Sequence, residues 1–305
     1  MSNRKGFTEA DVPDQSGKSF IVTGANAGVG FEVSRALAAR GARVLLGCRD
    51  EAKAAEAITR IKRITPKADV SWLPLDLGDL ESIRAAARAV AAEPRIDALI
   101  NNAGIMNPPL MRTKQGFESQ FGVNHLGVFA LTSLLLPKLA QAPGSRVVVT
   151  SSIAHLKGKI DWDDLNAEHS YSKGDRYGGS KLANALFFFE LDRRLRASRS
   201  PITAVGIHPG VASTSLGRHM GPAQWAGPIV GLLLNSADKG AWPALLAATG
   251  SVKPGGYYGP IGFGGIRGVA GEAKRALQAE DPELAKRLWD VSIAMTGIDP
   301  GLLPA

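Results

Sequence analysis

Six short apolar runs recur along the chain: SFIVT (19–23), RVLLGC (43–48), VSWLPL (70–75), DALIN (97–101), RVVVT (146–150) and ITAVGI (202–207). They are nearly continuous rather than alternating, the pattern of strands buried on both faces of a parallel sheet. The segments between them have helical spacing. In FEVSRALAAR (31–40), Phe31, Ser34 and Leu37 repeat at three residues, and Val33, Ala36 and Arg40 at three and four. EAKAAEAITRIKR (51–63) is rich in strong helix formers. Strand, helix, strand repeated in this way predicts an α/β fold with a doubly wound parallel sheet. No Pro-, Gly- or Ser-rich linker interrupts the alternation, and no self-similarity signals a solenoid. The reading is one domain over residues 1–305, with loosely attached tails at about 1–15 and 296–305.

Composition narrows the class. Cys48 is the only cysteine, so no intramolecular disulfide is available and a reducing, cytoplasmic setting is expected. The basic N-terminus has no apolar run behind it of the kind a secretory signal needs. The longest apolar runs, SLLLPKLA and PIVGLLL, fall well short of the roughly 20 residues that span a bilayer. A membrane span is therefore not expected. The net charge of +8 raises nucleic acid as a partner. However, Lys and Arg are interleaved with acids, as in RDEAKAAEAITRIKR, which describes solvated helix faces and argues against it. The residual positive field favours an anionic cofactor or substrate.

The stretch TGANAGVG (23–30) joins the first predicted strand to the first predicted helix. Glycine weakens both, so three of them there need a reason. Backbone N–H groups at a glycine turn can close on a phosphate, and the helix N-terminus adds about half a positive charge. Gly24 permits the tight turn, Gly28 lets a pyrophosphate approach, and Gly30 lets helix and strand pack. The spacing departs from G-x-G-x-x-G, with Asn26 in place of the second glycine. A second glycine cluster, GFGGIRG (262–268), is read as a decoy because no helical pattern follows it.

Further motifs follow in order: NNAG (101–104), NHLG (124–127), SS (151–152), YGGSK (177–181) and HPG (208–210). Together with T-G-x-x-x-G-x-G they resemble the short-chain dehydrogenase/reductase family over residues 17–260. SSIAH, the long interval before Tyr177 and SKLANALF look most like its retinol-dehydrogenase-like and protochlorophyllide-reductase-like branch. The resemblance implies a single Rossmann-fold domain that binds a nicotinamide dinucleotide. The cofactor would lie along Gly24, Asn26, Gly28, Val29 and Gly30, then Asp76 and Leu77, then Asn102, Ala103 and Gly104. Tyr177, Lys181, Pro209, Gly210 and Thr214 would complete its site. Asn101 is read as tying strands together beside the cofactor. Arg49 stands at the end of the second predicted strand, where an arginine accommodates the 2′-phosphate of NADP. Asp50, next to it, keeps NAD open as the lesser alternative.

Tyr177 and Lys181 are four residues apart on a predicted helix and so share a face. A nearby ammonium favours tyrosinate and lowers a phenol pKa. Tyr171 looks similar but has Asp175 at the fourth position. By resemblance Ser152 hydrogen-bonds the substrate oxygen, with Ser151 as competitor and His155 in place of a glycine common in the family. Asn124 would hold a water beside Lys181. His125, His155 and His208 fit neither H-E-x-x-H nor G-x-S-x-G, and no metal is expected. Beyond HPG, residues 211–240 are read as a substrate lid, with Leu216, Met220 and Trp225 as its apolar surface. A core-packing helix is the alternative for Ile229–Leu234. Residues 155–176 form an unusually long loop that would shape a pocket wall and cover the helix carrying LANALFFFEL. That helix face is either core or subunit contact, so homo-oligomer and monomer both stay open. The function expected is NADP(H)-dependent interconversion of an apolar carbonyl compound and its alcohol. A C=C reductase of the protochlorophyllide type and a non-catalytic NADP sensor are the alternatives.

Overall fold

Each of the six apolar runs is a strand: β1 Ser19–Thr23, β2 Arg43–Cys48, β3 Asp69–Pro74, β4 Ala98–Asn101, β5 Arg146–Thr150 and β6 Thr203–Ile207. The computed structural model describes residues 6–211 and 235–305. Two further strands, β7 Tyr257–Gly262 and β8 Arg267–Glu272, extend the sheet to the order β3-β2-β1-β4-β5-β6-β7-β8. Pairing is parallel throughout except between β7 and β8. The strand order reverses between β1 and β4, and ligands of such sheets bind at the carboxyl ends of the strands near that point.

β7 and β8 were hidden by their glycines. A Cβ on Gly259 would lie 2.0 Å from His208 Nε2, and one on Gly271 would lie 2.8 Å from Ile261 Cγ2. These glycines permit close approach within strands. The decoy cluster, GFGGIRG, is the turn between the two strands.

The helices are α1 Gly28–Ala39, α2 Glu51–Ile64, α3 Leu80–Val90, α4 Ser119–Phe121, α5 Gly127–Leu139, α6 Lys173–Ala197, α7 Ala237–Thr249 and α8 Pro282–Thr296. A π-turn, Gly122–Leu126, joins α4 to α5. Successive strand residues point to opposite faces and so feed two cores. Ile21, Leu99, Val147 and Val149 pack with residues of α3, α5, α6 and α8. Phe20, Val22, Ile100 and Val148 pack with residues of α1, α2 and α7.

The apolar face of α6 is core. Trp289 of α8 meets Phe129 at 5.3 Å and Phe187 at 6.0 Å, with the Arg194 guanidinium 4.6 Å from its ring. Glu190, buried beside it, pairs with Arg194 at 2.7 Å. The long loop runs over the start of the same helix. A Cβ on Gly158 would lie 2.3 Å from the Gly178 carbonyl oxygen, and one on Gly179 would lie 2.5 Å from that of Lys159. The double glycine of YGGSK therefore lets the loop lie directly against α6.

The described parts of the expected tails are docked instead. Phe7 exchanges backbone hydrogen bonds with Ala270 at 2.8 and 2.9 Å, Val12 is buried, and Glu9 pairs with Arg35 at 2.6 Å. At the other end Ile298 is buried, Leu302 packs on the core, and the Leu303 N–H donates to Ser198 Oγ. Enough apolar side chains and backbone partners lie in both segments to hold them down. Among the described residues no helix is long and apolar enough to cross a membrane.

Candidate active site

β1 ends at Thr23, and the chain turns through Gly24 (φ +65°) to Gly28 (φ +57°), where α1 begins. Both glycines occupy the left-handed region that other residues rarely adopt. No side chain caps α1, so its first amides stay available to an anion. There is also no room for side chains: a Cβ on Gly30 would lie 2.4 Å from the Gly24 carbonyl oxygen and 2.5 Å from Asn102 Nδ2. Asn26 is half-buried at the turn, while the Val29 side chain is in the core, which leaves only its backbone for a ligand.

Thr23, not singled out from sequence, ties this turn to NNAG. Its Oγ1 accepts from the N–H groups of Asn102 (3.0 Å) and Ala103 (2.9 Å), and its carbonyl accepts from Asn102 Nδ2 (2.9 Å). Asn101 is buried and donates to Thr132 Oγ1, a structural tie from β4 to helix α5 rather than between strands. A Cβ on Gly104 would lie 3.1 Å from Asn124 Oδ1 and 3.2 Å from Lys181 Nζ. The NNAG backbone thus passes between the glycine turn and the proton-handling groups.

At the end of β2, Arg49 is exposed and makes no hydrogen bond or ion pair with the described residues. Asp50 is otherwise engaged: it caps α2 by accepting from the Lys53 N–H and pairs with the Lys53 ammonium at 3.1 Å. Those contacts hold its carboxyl below the usual range. Asp76 accepts from the Gly78 N–H at 2.8 Å, as a loop-starting aspartate does, and Leu77 is buried. An uncapped helix end, two left-handed glycines and a free guanidinium fit an anionic dinucleotide.

Tyr177 and Lys181 both lie on α6, with Lys181 Nζ 5.8 Å from the phenol ring centroid. Lys181 is buried, and its ammonium donates to the Thr150 carbonyl, which Asn184 shares. Burial pushes its pKa down to about 8. The Tyr177 pKa is raised, not lowered as the sequence suggested: desolvation of the phenol dominates, and the nearby Ser152 hydroxyl pulls the other way. Lys181 alone does not reverse this.

The two serines separate cleanly. Ser151 is buried, its N–H donating to the Ile207 carbonyl and its hydroxyl to the Lys181 carbonyl at 2.7 Å. It fastens β5 to α6. Ser152, half-buried, faces Tyr177. Tyr171 donates to the Pro108 carbonyl at 2.8 Å, a structural contact.

Asn124 lies in the π-turn, an irregularity that often marks functional positions. Its Oδ1 accepts from the Ile105 N–H (2.8 Å), and its Nδ2 donates to the Ile105 carbonyl (3.0 Å) and to Ser180 Oγ (2.9 Å). Ser180 in turn donates to the Tyr177 carbonyl at 2.8 Å. Both amide donors of Asn124 are spent on protein, so its side chain sets the distance between the 104–105 backbone and α6. Ser180 was missed because its role depends on this distant partner.

His125 and His208 are single structural groups. His125 is fully buried, 2.7 Å from Ser292 Oγ, and burial pushes its pKa down to about 3. His208 Nδ1 accepts from the Gly210 N–H, and burial pushes its pKa down to about 4. Gly210 (φ +75°) admits the hairpin turn: a Cβ there would lie 2.2 Å from the Ile266 carbonyl oxygen, and the Val211 N–H donates to that oxygen. The Pro209 carbonyl accepts from Asn235. Thr214, Leu216, Met220, Trp225 and Ile229–Leu234 lie outside the described residues, and the far end of the expected lid, from Ala237, is already α7. The long loop encloses a cavity of about 540 Å³ whose walls include Lys157, Ile160, Arg176, Gly179 and Ser180, but not Tyr177.

The profile of the family described as short chain dehydrogenase matches residues 18–225. Human retinol dehydrogenase 13 is 43% identical, covering 96% of this chain and 87% of its own. Human retinol dehydrogenase 14 is 40% identical, covering 92% and 87%. A crystal structure of an uncharacterized protein from Mycobacterium paratuberculosis superposes with a TM-score of 0.81 at 38% identity, covering 96% of this chain and 98% of that one. The NADP active-site complex of Pseudomonas aeruginosa RhlG superposes with a TM-score of 0.63 at 25% identity, covering 79% and 94%.

Proposed function

Because the chain belongs to the short-chain dehydrogenase family and is an oxidoreductase, we propose that it interconverts an apolar carbonyl compound and its alcohol with NADP(H). The observation that carries the reading is the Tyr177 phenol, with the Ser152 hydroxyl near enough to lower its pKa, on a helix shared with buried Lys181 and beside an uncapped glycine turn. When bound, the nicotinamide supplies or accepts the hydride. In the reduction direction the Tyr177 hydroxyl delivers a proton to the carbonyl oxygen, and the Ser152 hydroxyl hydrogen-bonds that oxygen and orients it. Lys181 favours the resulting phenolate with its charge. A sensor that only bound NADP would need none of these groups.

Two observations support an apolar substrate. The relatives at 43% and 40% identity are named retinol dehydrogenases. Val211, Ile261 and Ile266 are exposed around the hairpin turn that rests on Gly210. The test is NADPH oxidation by the purified protein with all-trans-retinal, other apolar aldehydes and ketones, and enones. Turnover of the carbonyl compounds supports the reading. Reduction of enone double bonds alone transfers it to a C=C reductase, and NADPH binding with no turnover favours the sensor.

The cofactor choice rests on Arg49, exposed and free of partners among the described residues while Asp50 is engaged at α2. Charge-assisted contacts to a phosphate contribute ~1.5–3 kcal/mol. Arg49→Asp is therefore expected to weaken NADPH binding by roughly 10- to 100-fold and to leave NADH binding nearly unchanged. Fluorescence titration with both nucleotides checks this, and equal losses would remove Arg49 from the site.

A further inference from the structure

The structure assigns His155 a role as the positioning residue for Ser152. This inference rests on the reading of Ser152 and Tyr177 as the reacting pair. The Ser152 carbonyl accepts two hydrogen bonds from His155, one from its backbone N–H at 3.0 Å and one from ring Nδ1 at 2.6 Å. The other ring nitrogen, Nε2, accepts from the Ala276 N–H at 3.2 Å. A backbone amide can only donate, so Nε2 carries the lone pair and Nδ1 the proton. The neutral imidazole in one tautomer is thus a strut between the reacting serine and a segment 121 residues away.

The strut is held on all sides. His155 is 1% exposed, and its ring meets Tyr257 edge-on at 5.3 Å. Tyr257 stacks on Phe188 of α6 at 5.8 Å with an interplanar angle of 5°. Burial and the nearby Arg275 both keep the imidazole neutral. Among the described residues one backbone group donates to the Ser152 hydroxyl, the Ala154 N–H in the same short turn. The placement of Ser152 therefore rests on its backbone, where the His155 ring holds the carbonyl while the neighbouring Ser151 fastens the strand end to α6. A histidine here does what no glycine could.

The test reads Tyr177 directly. The ¹³Cζ resonance of labelled Tyr177, assigned among the four tyrosines with Tyr177→Phe, reports the influence of the Ser152 hydroxyl on the phenol at neutral pH. Ser152→Ala sets the value for its loss. We expect His155→Ala to move the resonance towards that value, and His155→Asn, whose Nδ2–H occupies the place of Nδ1–H, to keep it near wild type. His155→Gln reaches Ala276 but not the Ser152 carbonyl, and is expected to behave like Ala while folding as wild type does. In turnover, Ala and Gln lower kcat about 10-fold with the KM for NADPH unchanged, and Asn restores it. A wild-type resonance in folded His155→Ala or His155→Gln overturns the assignment, as does an Asn variant no better than Ala. Absence of wild-type turnover on every substrate counts against the proposed function, while the resonance still decides His155.

Discussion

Tyr177→Phe is expected to lower kcat by about 10²- to 10⁴-fold, the range a positioned general acid contributes, while NADPH affinity changes by less than roughly 3-fold. The separation follows from the site. The phenol lies beside the Ser152 hydroxyl, and apart from Tyr177 the groups that would hold the dinucleotide are the glycine turn, NNAG, Lys181 and Arg49. None of those depends on the hydroxyl that is removed. The fold should tolerate the change, because burial of the phenol already opposes its ionisation and a phenyl ring fills the same space. Single-turnover kinetics with NADPH and an apolar aldehyde separate the chemical step from binding. A variant within 5-fold of wild type in kcat would show that another group delivers the proton. Tyr171 is not that group, since its hydroxyl is bonded to the Pro108 carbonyl.

What the sequence made legible follows from how local each signal is. Six strands could be placed to within a residue because parallel strands buried on both faces leave near-continuous apolar runs. β7 and β8 left no such trace: Gly259 and Gly271 are needed where His208 and Ile261 press against the backbone, and glycine reads as a turn. The i, i+4 spacing of Tyr177 and Lys181 is itself the geometry of the helix face, so it survived intact. Ser152 was chosen over Ser151 by resemblance, because adjacent residues at a strand end point opposite ways and pattern alone does not say which way is in. Thr23 and Ser180 act across sequence separations of 79 and 56 residues, beyond the reach of any local pattern. The sign of the Tyr177 shift was misjudged for a related reason. Charge proximity can be read from spacing, whereas burial is a property of the assembled fold.

Burial also makes Lys181 costly, and Lys181→Met should reveal the cost as a gain in stability together with a loss of activity. Lys181 is 3% exposed and its pKa is pushed down to about 8, from an unfolded value near 10.4. The charged form is thus disfavoured in the folded chain. Between about pH 8 and 10.4 the unfolded state binds more protons, so wild-type stability rises with pH across that window, and below it the penalty is present in full. At ~1.4 kcal/mol per unit the penalty at pH 7 is at most ~3 kcal/mol. Methionine keeps the apolar stem and has no charge to desolvate, and the Thr150 carbonyl still accepts from Asn184. The variant should therefore be more stable than wild type at pH 7 by ~1–3 kcal/mol in urea, with the difference shrinking by pH 10. Catalysis moves the other way. Without the ammonium beside it the buried phenol has lost its cationic support, and kcat should fall by at least about 10²-fold. In the wild type kcat/KM for reduction should decline above about pH 8 as Lys181 loses its proton in the free enzyme. If Lys181→Met is instead less stable than wild type at pH 7, the contact to Thr150 outweighs desolvation and the lysine is held in the fold for structure. If it is more stable and inactive, the chain carries a buried cation at a net cost because the phenol requires it.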